Sequence, residues 1–113
     1  MFYWNRDGIS VSAVLDKRKK DKRGLYPIHI RVIYRRVIKD YGIGKKSSPA
    51  DWEKMMTSKS QSLVVLRHNI KERFNTIVHI TEDLANRQEF SFDTLKANYK
   101  RVTSPSLKVD DKV

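Results

Sequence analysis

The side chains of this chain best equipped for chemistry are its cations, and they come in clusters. Lys17-Arg18-Lys19-Lys20-Asp21-Lys22-Arg23 places six cations and one acid in seven residues, Arg35-Arg36 stand together, and Lys45-Lys46 lie further on. Ammonium and guanidinium groups at this density bind phosphate oxygens, and a guanidinium also pairs bidentately with a guanine edge. The bland alternative for the 17–23 run is a solubility loop or a localisation-like patch. Between the clusters, His29 and Arg31 stand two residues apart, a spacing that puts both on one face of a strand. Each reads either as a base contact or as a strand residue exposed to solvent.

Catalytic chemistry finds no comparable constellation. The three histidines are scattered, and His68 and His79 are eleven residues apart on one helical pattern, about 16 Å at 1.5 Å per residue. That is too far to share a metal. The absence of cysteine excludes disulfide scaffolds and thiolate zinc sites. Gly42-Ile43-Gly44-Lys45-Lys46 lacks the remaining spacing of a phosphate-binding glycine loop. No nucleophile has an identifiable base partner. The expectation is a non-catalytic chain with no cofactor and no metal.

The charge is unevenly spread. Of 113 residues with a net charge of +11, the first 47 hold 13 Lys+Arg and 4 acids, a net of +9, which leaves the other 66 at +2. Such asymmetry is a usual footprint of nucleic-acid binding. A 39% hydrophobic fraction is low for a globular chain but too periodic for a wholly disordered one. No apolar run approaches the roughly 18–20 residues that span a bilayer, and Met1 to Arg6 lacks a signal-peptide pattern. The chain therefore reads as one small cytoplasmic domain without a membrane partner.

The elements that position the cations emerge from periodicity. Ile9, Val11, Ala13 and Leu15 alternate with Ser10, Ser12, Val14 and Asp16, the pattern of a half-buried strand. After the basic loop, Ile28, Ile30, Val32 and Tyr34 alternate with His29, Arg31 and Ile33, with Pro27 at the strand's start. Arg35-Arg36 reads as a hairpin tip. A third strand, about Val37 to Ile43, puts Val37, Lys39, Tyr41 and Ile43 on the core side, the Lys39 stem snorkelling, unless a bulge near Arg35-Arg36 reverses the parity. Ser48-Pro49-Ala50-Asp51 then opens a short helix bearing Trp52, Met55 and Met56. Leu63, Leu66, Ile70, Phe74, Ile77 and Leu84, with Thr81 filling the remaining slot, form the apolar stripe of a long helix over 63–87. Ser91 caps a last helix to about Arg101.

The fold class expected is α+β: a three-stranded antiparallel sheet packed by a short helix, then a long amphipathic helix and a short C-terminal one. The organisation is a tail over 1–8, a sheet-and-helix domain over 9–56, a linker over 57–62, a helical segment over 63–101 and a disordered tail over 102–113. With the Trp52 helix covering the apolar face, the other face is left to solvent. A twisted sheet or ribbon fits the major groove, about 12 Å wide.

Ile9-Ser10-Val11-Ser12-Ala13-Val14-Leu15-Asp16, the basic loop, Gly24-Leu25-Tyr26-Pro27-Ile28-His29-Ile30-Arg31-Val32, and Tyr41-Gly42-Ile43 with Trp52 beyond them resemble the N-terminal region of phage and conjugative-transposon integrases, which are tyrosine recombinases. The resemblance covers roughly Ile9 to Lys54. The helix from Leu63 and Phe90-Ser91-Phe92-Asp93-Thr94-Leu95 are similar to the stretch of those integrases that leads toward their core-binding helical domain. Lys39 departs from the pattern, standing where an apolar residue is expected. The resemblance implies an arm-type DNA-binding domain that grips accessory sites away from the crossover. The catalytic signature is absent, with no His-x-x-Arg and no nucleophilic tyrosine in context, so it implies a fragment or isolated domain of a bacterial, nucleoid-associated integrase.

On the leading hypothesis, Lys17, Arg18, Lys19, Lys20, Lys22, Arg23, Lys45 and Lys46 contact phosphates of double-stranded DNA. His29, Arg31, Arg36 and Ile38 contact bases, Ile38 through a thymine methyl. A second hypothesis makes the 63–87 stripe a protein-interaction surface for self-association or for other integrase protomers, its alternative being packing within the chain. A third is a small RNA-binding domain, disfavoured by the lack of a row of aromatics on the outer sheet face.

Overall fold

The primed turns suit a two-residue hairpin loop because their twist matches that of the flanking strands, and type I′ carries both central residues at positive φ. Asp7 (φ 53°) and Gly8 (φ 80°) lie there, and so do Arg35 (φ 51°) and Arg36 (φ 68°). These two turns frame the sheet in the computed structural model, which describes residues 2–103. Strand β1, Tyr3–Arg6, turns at Asp7-Gly8 into β2, Ile9–Leu15; β3, Tyr26–Tyr34, turns at Arg35-Arg36 into β4, Val37–Ser47. All pairs are antiparallel and the spatial order is the chain order, β1-β2-β3-β4. Among the described residues the helices are α1, Pro49–Lys54, α2, Gln61–Asn86, and α3, Phe92–Thr103.

The α+β class holds, but the sheet has four strands where three are expected. Residues 3–6, within the segment read as a tail, pair with β2 through Trp4↔Val11 and Arg6↔Ile9. The Phe2 carbonyl accepts the Ala13 N–H at 3.1 Å. The Asp-Gly loop makes this pairing local and tight. The expected tip at Arg35-Arg36 is present, and the Arg35 guanidinium lies 5.0 Å from the Tyr34 ring centroid, a contact that offsets part of the turn's strain.

The chain divides into two compact units, Met1–Asn75 and Thr76–Val113. In the first, one sheet face is apolar: Val11, Ile28, Ile30 and Val32 are fully buried, with Ile9 and Ala13 nearly so. Each of these valines and isoleucines contributes about 1.5–3 kcal/mol of burial. Strand β4 keeps the expected parity, since Tyr34↔Val37, Val32↔Lys39 and Ile30↔Tyr41 pair across the core face. Its burial is less than that parity suggests: only Ile43 and Ser47 are buried, and Val37 and Lys39 are exposed near the hairpin tip. Where Pro27 faces Lys46 but His29 faces Gly42, residues 43–45 stand opposite Ile28 alone, a bulge with Gly44 at φ 74°.

Helix α1 starts as its sequence directs. Ser48 Oγ accepts the Asp51 N–H at 3.1 Å, Pro49 opens the helix, and Asp51 sits in its first turn. None of its own residues is fully buried, Trp52 being half-buried. Burial passes instead to Met55 at its C-cap and to Leu63, Ile70 and Phe74 of α2, whose Phe74 ring lies 5.5 Å from Phe2. Arg67 secures the connection by donating from Nη1 to the carbonyls of Met55 (3.0 Å) and Met56 (3.2 Å).

In the second unit Ile77, Thr81, Leu84 and Leu95 are buried. Helix α2 ends with Gln88 at φ 57° and the Glu89 N–H on the Leu84 carbonyl at 2.8 Å, the bonding of a Schellman stop. Ser91 caps α3 through the Thr94 N–H at 3.1 Å, and the Thr94 hydroxyl accepts the Ser91 N–H at 2.9 Å. From residue 104 onward the expected disordered tail lies outside the described residues. No described helix is long and apolar enough to cross a membrane.

Left-handed backbone costs a non-glycine residue about 1–2 kcal/mol, so the arginine turn lowers stability. Arg36→Gly will stabilise the domain by about 0.5–1 kcal/mol after glycine's entropic cost. Urea unfolding should show a higher midpoint at unchanged slope; a lower midpoint would mean that Arg36 makes a stabilising contact outweighing the turn strain.

Candidate nucleic-acid interface

The face opposite the core is read directly from the register. Across it run Ser10–Ile33–Ile38, then Ser12–Arg31–Asp40, then Val14–His29–Gly42. Asp16 continues the parity of β2, its N–H donating to the Pro27 carbonyl at 2.9 Å. Strand β1 extends the face with Tyr3 opposite Ser12 and Asn5 opposite Ser10. The Asn5 amide donates to the Tyr3 hydroxyl at 3.0 Å.

At the centre is a charge network. The Arg31 Nε and Nη2 donate to Asp40 Oδ1 and Oδ2 at 2.8 and 3.0 Å. The Arg18 Nε and Nη2 do the same to Asp16 at 2.9 and 3.1 Å, and the Arg18 backbone N–H adds a third bond at 3.1 Å. Arg18 Nη2 also lies 3.7 Å from Asp40. His29 Nδ1 sits 3.5 Å from both Asp16 Oδ2 and Asp40 Oδ2. Gly42 leaves the space across from His29 open, and a Cβ there would come within 3.9 Å of the ring.

These contacts fix protonation. The Arg18 side-chain and backbone bonds hold the Asp16 carboxyl far below the usual range, and the Arg31 bond lowers Asp40. The guanidinium partners are raised in turn. Asp16, His29 and Asp40 bring ligand-type atoms within 4.8 Å of one another. Each carboxylate, however, already carries a bidentate guanidinium, which supplies the charge a metal would bring.

Asp21 organises the basic loop. Its Oδ1 accepts the N–H groups of Arg23 (2.8 Å) and Leu25 (2.9 Å), while Lys46 Nζ reaches Oδ2 at 3.2 Å. The Leu25 N–H, then the Arg23 N–H and Lys46, hold its pKa down at about 2. Through this residue the 17–23 run and Lys45-Lys46 are brought to one end of the sheet. Of the cations assigned to phosphates, Arg18, Arg23 and Lys46 contact carboxylates. Lys17, Lys19, Lys20, Lys22 and Lys45 are exposed and have no such partner among the described residues.

The residues assigned to bases divide into two groups. His29 and Arg31 are adjacent in the central network, their side chains 15% and 31% exposed, so neither is an idle surface residue. Ile38 is exposed beside Ile33, and Arg36 lies beyond it at the hairpin tip. His68 is exposed on α2, 2.8 Å from Glu72. The two aspartates on the outer face escape a reading that counts only cations. Asp40 was within reach: counting four residues out from each side of the 35–36 turn sets it opposite Arg31.

The aspartates make the fold sensitive to acid. Their folded pKa values lie below the unfolded value of about 3.9, so the stability they add is complete above that pH and drains away as pH falls toward the folded values. For Asp21 the loss runs from about pH 4 down to about 2. Denaturant titrations should show Asp21→Asn less stable at neutral pH and with a shallower acid slope than the parent. Parallel curves would show that the loop carboxylate adds nothing to folding.

No curated protein and no solved structure matches the chain. The family model described as the Arm DNA-binding domain matches residues 13–96, from within β2 into α3, and so takes in the whole outer-face network and the basic loop. The chain thus belongs to the Arm DNA-binding domain family, an arm type of DNA-binding domain typical of tyrosine recombinases and integrases.

Proposed function

We propose that this domain binds double-stranded DNA as the arm of a site-specific integrase, holding accessory sites away from the crossover by laying the outer face of its sheet into the major groove. The observation that carries the reading is the layout of that face. Arg31 and His29 stand at its centre, Ile33 and Ile38 beside them, and lysines without carboxylate partners crowd the loop at one end. Phosphate contacts set orientation and base-edge contacts set sequence; the layout separates the two roles. Lys17, Lys19, Lys20, Lys22 and Lys45 form the phosphate set, joined by Arg18, Arg23 and Lys46 where their carboxylate partners yield. Arg31 is the leading base reader, His29 and Arg36 flank it, and Ile38 meets a thymine methyl. Recombination chemistry would reside in a catalytic domain of a tyrosine-recombinase parent.

The interaction-module reading loses most of its surface. Leu63, Ile70, Phe74, Ile77 and Leu84 of the α2 stripe are all buried within the chain. The RNA reading loses support too, since Tyr3 and His29 are the aromatic rings with outer-face parity among the described strand residues, which make no stacking row.

Neutralising five phosphates makes log K fall with log[salt] at a slope of about −4.5, and eight give about −7. Fluorescence anisotropy on a duplex over a salt series should return a slope in that interval, with a matched RNA duplex competing poorly. Lys20→Ala should weaken all DNA sequences alike, and Arg31→Ala should narrow the gap between preferred and scrambled DNA. A slope near zero would end the reading.

A further inference from the structure

Two of the four acids in the basic half lie on the outer sheet face, where a carboxylate repels phosphate. Asp40 is central among them. It takes the Nε and Nη2 edge of Arg31 at 2.8 and 3.0 Å. A guanidinium is a planar fork of five N–H donors, so that edge uses only two of them. Nη1 and the second hydrogen of Nη2 form the neighbouring edge of the same plane and remain available. That edge matches the O6 and N7 acceptors of guanine. The salt bridge therefore spares the reading edge and removes the freedom of a long side chain to point elsewhere.

We infer that Asp40 is a positioning and specificity residue: it pins Arg31 in the one orientation that presents the outer guanidinium edge to a guanine, and its own charge opposes binding wherever that guanine is missing. The inference rests on the reading that this face enters the major groove. Arg31 held by a carboxylate enters the groove with little rotamer entropy left to lose. On a wrong sequence, Arg31 gains no base contact, while Asp40 still faces the phosphate-rich groove. The preset Arg31 edge widens the interval between cognate and non-specific affinity, and the Asp40 charge keeps non-specific affinity low. The rest of the network steadies the clamp: Arg18 Nη2 stands 3.7 Å from Asp40, and His29 Nδ1 stands 3.5 Å from both Asp40 and Asp16. Asp16 is itself occupied by Arg18, which leaves Asp40 to Arg31.

The test uses the full chain and a pool of randomised duplex DNA. Wild-type protein is carried through selection, and affinities are then measured on the selected duplex and on a scrambled one. Asp40→Asn keeps the shape but removes the charge and one acceptor. It should bind scrambled duplex at least as tightly as the parent while the selected-to-scrambled ratio falls about tenfold or more. Arg31→Ala should lose the same guanine from its selected pool, and adding Asp40→Asn to it should lower the ratio little further. Arg31→Lys, which keeps the charge without the fork, should show the same loss of ratio. Nitrogen-15 spectra supply a readout that general destabilisation would not move: the Arg31 Nε–H signal should be protected in the parent and lost in Asp40→Asn with backbone amides unchanged. An undiminished ratio in Asp40→Asn or Arg31→Lys overturns the inference and leaves the DNA-binding reading standing. A parent protein with no salt-dependent duplex binding overturns both.

Discussion

Carboxylate–guanidinium pairing is the interaction on which the basic half of the molecule depends. Thirteen cations in 47 residues repel one another, and only four acids oppose them. None of those acids is idle. Asp7 lies 3.4 Å from Arg6, Asp16 clamps Arg18, Asp21 joins the basic loop to Lys46, and Asp40 clamps Arg31. Exposed ion pairs contribute little singly, but Asp16 is almost wholly buried and accepts several hydrogen bonds. The acids thus determine which cations are held and which stay loose in solvent. That division, made by where four aspartates fall, gives the outer face its ordered centre and its diffuse cationic margin.

The two sides of the sheet answer to different physics. On the core side, the isoleucines and valines of β2 and β3 are buried, and the cost of error there is a cavity. On the outer side every residue of the central rows is either polar or small apart from Val14 and the Ile33–Ile38 pair. Geometry on that side is maintained by hydrogen bonds in place of packing density. A functional surface built this way is stiff where bidentate bonds meet and compliant at the lysines.

Much of this was legible in the residues. Period-two alternation located β2 and β3, the paired arginines located the tip, and Ser48 and Ser91 located two helix starts. Lys39 looked anomalous on a core-facing parity, yet the register places it there; it is tolerated because β4 is the edge strand of the sheet and Lys39 is exposed on it, while Val32 beside it is buried. Strand β1 was missed because four residues are too few to display a period, although Asp7-Gly8 is among the strongest hairpin signals a sequence can carry. The network around His29 was hidden for a further reason. It joins the end of one strand, the middle of two others and a loop residue, and the bulge at residues 43–45 changes the register close by.

The order β1-β2-β3-β4 has a kinetic meaning. Every strand lies beside its sequence neighbour, and two of the three connections are two-residue turns. Contacts made over short loops are entropically cheap to close, and chains dominated by them fold quickly. The remaining connection, the cationic loop between β2 and β3, is the single place in the sheet where assembly waits on a longer closure, and Asp21 tightens its second half by accepting the N–H groups of Arg23 and Leu25. The same seven-residue run that a nucleic acid would meet is therefore also the hinge on which the two hairpins find each other.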